Sequence, residues 1–79
     1  MHEWGIADSV VKRIIMEAEK NNIAQVKKAS VILGKRQGIS REEFLACLNV
    51  KTKEHNLSAI KFDIREEETS NVGLDSIEG

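Results

Sequence analysis

This 79-residue chain predicts an α+β fold, two helices packed on one face of a small three- or four-stranded mixed sheet in the order β-α-β-α-β-(β). Three observations carry that expectation. Aliphatic residues from Ile6 to Ala18 recur at the three-and-four spacing of a helix face, the run from Val26 to Leu33 is β-branched and of strand length, and "AIKFDIR" alternates apolar with charged side chains. Short connections favour laying both helices on the same side of the sheet. The opposite sheet face then has to be polar or covered.

Residues 2–5 read as a short extended segment ending at Gly5. Ile6, Val10, Val11, Ile14, Ile15 and Ala18 then form the stripe of the first helix. Asp8 either caps it or sits in its first turn, and Asn21-Asn22 offers a left-handed stop. In "QVKKASVILGKRQG", Val26, Ala29, Val31 and Leu33 oppose Ser30 and Ile32, so both faces have apolar character and the strand is expected to be central. Gly34 to Gly38 make a polar turn. Ser40 and Glu43 have the spacing of a capping box ahead of the stripe Phe44, Leu45, Cys47, Leu48 and Val50, and this helix fades between Glu54 and Asn56. Ile60, Phe62 and Ile64 alternate with Lys61, Asp63 and Arg65 in a strand wet on one face. A polar stretch follows, after which "VGLDSIEG" either adds a last strand or frays.

A chain this short makes one domain, residues 1–79, and buries only roughly 60% of the surface exposed when unfolded. Its three aromatics, Trp4, Phe44 and Phe62, leave an aliphatic core. The single cysteine, Cys47, cannot form the intrachain disulfides typical of small secreted domains, which points to a reducing, cytoplasmic setting. No leader pattern and no run of ~20 apolar residues is present, so neither export nor membrane insertion is expected. Residues 1–62 hold eleven Lys/Arg against seven Asp/Glu, and residues 63–79 hold one against six. The pairs Lys12-Arg13, Lys27-Lys28 and Lys35-Arg36 lack interleaved aromatics, and read as solvated faces rather than a nucleic-acid surface.

One segment carries candidate chemistry. In "MHEW", Met1 supplies an α-amine that deprotonates readily near neutral pH, and His2 places an imidazole and a backbone nitrogen within chelating reach of it. Glu3 adds a further backbone nitrogen or its carboxylate. Nitrogen-rich, nearly planar donor sets suit Ni(II) or Cu(II) better than Mg(II) or Ca(II). Spacing alone is a weak signal, because a terminal histidine ordinarily just points into water.

The "MHEW" start, an aliphatic helix, the "VKKASVILG" stretch and "GISREEFLACLNVKTKEHNLSAIKFDI" together resemble the nickel-binding domain of the HypA family of hydrogenase maturation proteins, over residues 1 to about 66. The resemblance implies a non-enzymatic metallochaperone for hydrogenase, sometimes urease, working with a GTPase partner and the hydrogenase large subunit. It implies Met1, His2 and Glu3 as the Ni(II) ligands. One departure matters: the family inserts a zinc module with two CxxC motifs before its closing strand, whereas here 67–71 is a short cysteine-free linker, so no Cys₄ zinc site can be built from this chain.

The remaining candidates read more simply. His55, in a charged helix end, suits the helix dipole better than a metal. Cys47 lies on an apolar stripe and reads as core. Trp4 either shields a terminal metal or anchors the first strand. The consecutive Glu66, Glu67 and Glu68 point in different directions and read as a solvated strand end. No phosphate-binding glycine loop, nucleophile elbow or acid/base pair is present. A metal-free interaction module with the same fold is the alternative reading. An open edge strand also makes a homodimer an expectation to test.

Overall fold

The computed structural model describes residues 3–79. Helix α1 (Glu3–Lys20) is followed by strand β1 (Lys28–Gly34), a single 3₁₀ turn at Lys35–Gln37, helix α2 (Arg41–Glu54), strand β2 (Lys61–Glu67) and strand β3 (Val72–Glu78). The sheet order is β2-β1-β3, with β2 parallel and β3 antiparallel to β1. The fold is α+β with a three-stranded mixed sheet, and β1 is central as its two apolar faces predict.

Three expectations need correction. Glu3, Trp4 and Gly5 are not extended: they are the first turn of α1, and the roughly 1 kcal/mol that glycine costs in a helix is outweighed by the packed stripe Ala7, Val10, Val11 and Ile14 that follows. The place of the missing first strand is taken by β3, which forms rather than frays. Its Val72, Leu74 and Ile77 oppose Leu33, Val31 and Ala29, and a bulge at Asp75 absorbs the odd spacing so that all three stay on the inner face. Asp8 neither caps α1 nor lies in its first turn; it sits in the second. Val50 belongs to no buried stripe and is exposed.

The caps explain where the elements stop. Ser40 accepts the Glu43 N–H at 3.1 Å while the Glu43 carboxylate accepts the Ser40 N–H at 3.3 Å, completing the capping box of α2. After the helices, Asn22 and Asn56 adopt the left-handed backbone that ends them, at φ 56° and 60°.

The core lies between the helices and one sheet face. Ala7, Val10, Val11 and Ile14 of α1 meet Phe44, Cys47 and Leu48 of α2 over Ala29, Val31, Leu33 and Ile64. Burying each of the larger aliphatic or aromatic members contributes roughly 1.5–3 kcal/mol. Thr52, the one buried polar residue described, donates its hydroxyl to the Leu48 carbonyl at 2.7 Å. The opposite sheet face is polar except for Ile32: Lys61, Asp63 and Arg65 stand there beside Lys28, Ser30 and Ile32.

Candidate metal centre

α1 and α2 lie side by side and run in the same direction. Asp8 of α1 meets His55 at the end of α2, while Glu3 comes close enough to Cys47 to act on its thiol. The start of α1 therefore shares one end of the molecule with the start of α2 and with the carboxyl ends of β1 and β2. Ile6 lies in a shallow surface depression with Gln37 and Val72, at the same end.

The connection from β2 to β3 also crosses here. Because the two strands flank β1, residues 68–71 must pass over its end. They do so at Gly34, whose α-carbon faces the backbone of Thr69 and Asn71 with no room for a side chain. The Arg36 N–H donates to the Thr69 carbonyl at 3.0 Å, and the Gln37 amide donates to the Ser70 carbonyl. This crossing holds the acidic tail against the basic body: Glu66 pairs with Arg41 at 3.4 Å and Glu68 with Lys35 at 3.2 Å. The consecutive glutamates do point apart, each to a different cation, with Glu67 on Arg65.

Of the expected ligands, Met1 and His2 lie outside the described residues. Glu3 opens α1 and is half-buried. Among the described residues no three His, Cys, Asp or Glu side chains converge in a way that would hold an ion. Trp4 occupies the first turn of α1 and is 51% exposed, so it anchors no strand. The chemistry of the segment fits a nitrogen-seeking cation, because the first N–H groups of a helix have no acceptor within it. The Glu3 amide is thus not committed to a helical hydrogen bond.

Cys47 is core, as its place in the stripe predicts. Burial pushes its thiol pKa up, and the nearby carboxylates of Glu3 and Glu43 push it further. His55 ends α2, where its N–H reaches the Lys51 carbonyl at 3.1 Å. Its ring adds a contact that the sequence did not suggest: Nε2 lies 3.0 Å from Asp8 Oδ1. A carboxylate can only accept, so Nε2 carries the proton. Lys12 holds the other Asp8 oxygen at 3.1 Å. The His55 hydrogen bond, followed by that from Lys12, lowers the Asp8 pKa, and the cluster pins α1 to α2. The Asp8-Lys12 spacing is visible in the sequence, but a partner 47 residues away is not.

An aliphatic crevice of about 370 Å³ opens at the far end, between Ile15, Ala18, Ile23 and Leu57, and its one charged lining residue is Glu19. It offers no ligand set. No described helix is long and apolar enough to cross a membrane.

Comparison with known proteins identifies the family of the chain. A family model described as "Hydrogenase/urease nickel incorporation, metallochaperone, hypA" matches residues 1–72. The chain is 38% identical over 39 residues to the hydrogenase maturation factor HypA of Pyrococcus horikoshii, covering 49% of this chain and 28% of that protein. It is 36% identical over 42 residues to the HypA of Pyrococcus furiosus, and 33% identical over 42 residues to that of Thermococcus kodakarensis, each match covering 53% of this chain and 30% of the relative. The matched stretch thus spans under a third of the length of these relatives. With the family model matched across nearly its whole length, the chain belongs to the HypA family of nickel-incorporation metallochaperones.

Proposed function

We propose that this chain is a nickel-carrying module that binds Ni(II) through the Met1 amine, the His2 imidazole and backbone nitrogen, and Glu3, and passes it on during hydrogenase, or urease, maturation. The observation that carries the reading is the start of α1 at Glu3 in a chain of this family. An amide at the first position of a helix has no intrahelical acceptor, so its deprotonation for coordination disrupts no helical bond. Anionic amide nitrogens are also favoured at the positive end of the helix dipole, and two of them balance the ion's charge. The ion is cargo here. Its delivery to a hydrogenase large subunit, with a GTPase partner, is part of the same proposal.

The short crossing at 67–71 stands, in this reading, where the family's zinc module is inserted. Residues 1–79 then act as one domain that carries nickel without that module. The absence of the two CxxC motifs is a property of the sequence, which has Cys47 alone.

Isothermal titration with Ni(II) tests the ligand set. A nearly stoichiometric site is expected, lost in His2→Ala and in a chain with residues added before Met1. Affinity should fall as the pH drops, because protons compete for the amine, amide and imidazole nitrogens. If both variants bind nickel like the parent, the ligands are elsewhere. If the parent binds none while still engaging a maturation partner, the module is an interaction domain.

A further inference from the structure

We propose that two copies of this chain associate by antiparallel pairing of their β2 edges about a two-fold axis at Ile64. β2 is an edge strand, flanked by β1 on one side only. The Lys61 N–H donates to the Lys27 carbonyl at 2.9 Å, so the alternation of a strand turns the N–H and C=O groups of Phe62, Ile64 and Glu66 away from β1, toward the unpaired edge.

The sequence of that edge, Lys61-Phe62-Asp63-Ile64-Arg65-Glu66-Glu67, has opposite charges at equal distances on either side of Ile64. Folded against a second copy with Ile64 opposite Ile64, it sets Lys61 against Glu67 and Asp63 against Arg65, twice over by symmetry. The backbone agrees with this register. Ile64–Ile64 and Phe62–Glu66 become the hydrogen-bonded pairs, making about six new bonds in all, and the charged residues fall at the non-hydrogen-bonded positions where side chains approach most closely. Shifting the register by two residues in either direction places Asp63 on Asp63 or Arg65 on Arg65. Charge therefore favours the Ile64-centred register over both of its neighbours, and it also pairs the full length of the strand, Lys61 to Glu67.

Within one copy, Lys61 and Asp63 form no ion pair among the described residues, and Arg65 is held only by exposed contacts to Glu67 at 3.2 Å and Asp75 at 3.9 Å. Such surface pairs are cheap to exchange. The other edge does not offer the same match: β3 carries Asp75 and Glu78 and no cation, so two copies of it repel. A two-fold axis perpendicular to the sheet keeps the helices of both copies on one face. It also sends the two candidate metal ends to opposite ends of the joined sheet, leaving both open.

Sedimentation equilibrium of the whole chain over a range of concentrations tests the proposal, together with isotope-filtered NMR on a mixture of labelled and unlabelled protein. A concentration-dependent dimer is expected, with intermolecular Hα–Hα contacts between Asp63 and Arg65 and between Lys61 and Glu67. Asp63→Arg turns two attractive cross-strand contacts into repulsive ones and should weaken the dimer about tenfold or more. The double swap D63R/R65D restores the opposition of charges and should restore association, which separates loss of pairing from loss of fold. A chain monomeric at millimolar concentration, a dimer whose intermolecular contacts involve β3, or a double swap no tighter than Asp63→Arg would overturn it.

Discussion

Gly34→Ala is the most direct probe of how the β2-to-β3 crossing is held at the candidate metal end. Gly34 has φ −71° and ψ 122°, a conformation open to any residue, so alanine meets no backbone penalty there. The obstacle is space. A Cβ at this position would lie 2.5 Å from the Asn71 carbonyl oxygen and 2.9 Å from its nitrogen, and closer still to the Thr69 oxygen. All three are backbone atoms, so the crossing itself must retreat by about 1 Å to reach ordinary contact. That retreat strains the Arg36–Thr69 hydrogen bond and the Gln37–Ser70 contact. Overpacking costs about 1–3 kcal/mol and a weakened hydrogen bond about 1 kcal/mol more, so a loss of about 2–4 kcal/mol is expected. For a chain of this size it lowers the melting temperature by roughly 10 °C or more. Urea unfolding followed by circular dichroism measures it, with Gly73→Ala as the control, since a Cβ there meets no atom within 4 Å. If Gly34→Ala and Gly73→Ala are equally stable, the close crossing is not what requires glycine.

Three further outcomes are expected. Ser40→Ala removes the hydroxyl that accepts the Glu43 N–H and should cost ~1 kcal/mol in urea unfolding; an unchanged midpoint would remove the capping box from the account. Asp8 has its pKa lowered by His55 and Lys12, so the stability it contributes is complete above its unfolded pKa, near 3.9, and is lost as the pH falls through the lower folded value. Thermal melts from pH 5 to pH 2 should therefore fall less steeply in Asp8→Asn than in the parent, and parallel curves would contradict the link. Cys47 is 5% exposed with its thiol pKa raised by burial, so an aromatic disulfide reagent should label it only as fast as the chain opens. Immediate labelling in native buffer would place the thiol at the surface.

What the sequence settles alone is what short-range chemistry decides. The stripe from Ile6 to Ala18, the capping box at Ser40 and Glu43 and the alternation around Ile64 each involve residues within a turn or two of one another, and each forms where its pattern lies. The family resemblance in residues 1 to about 66 is likewise legible, and its match runs to residue 72. The ligand set of Met1, His2 and Glu3 rests on the same short stretch and awaits the nickel titration. At residues 3–5 the local pattern is ambiguous, because Gly5 marks a strand end as readily as it sits in an exposed helical turn, and the helix is set by the buried stripe from Ala7 to Ile14 behind it.

The tertiary structure decided everything that depends on residues far apart in the chain. Whether "VGLDSIEG" frays or pairs turns on the free side of β1, which no local pattern reports, and the bulge at Asp75 follows from having to keep Ile77 over Ala29. The need for glycine at position 34 is set by Thr69 and Asn71 crossing above it, and the role of His55 by an aspartate 47 residues earlier. The physical reason is common to all of these. Helix and strand preferences are settled by neighbours along the backbone, whereas exclusion of atoms, long-range ion pairs and the choice of sheet edge exist only once the chain has folded back on itself.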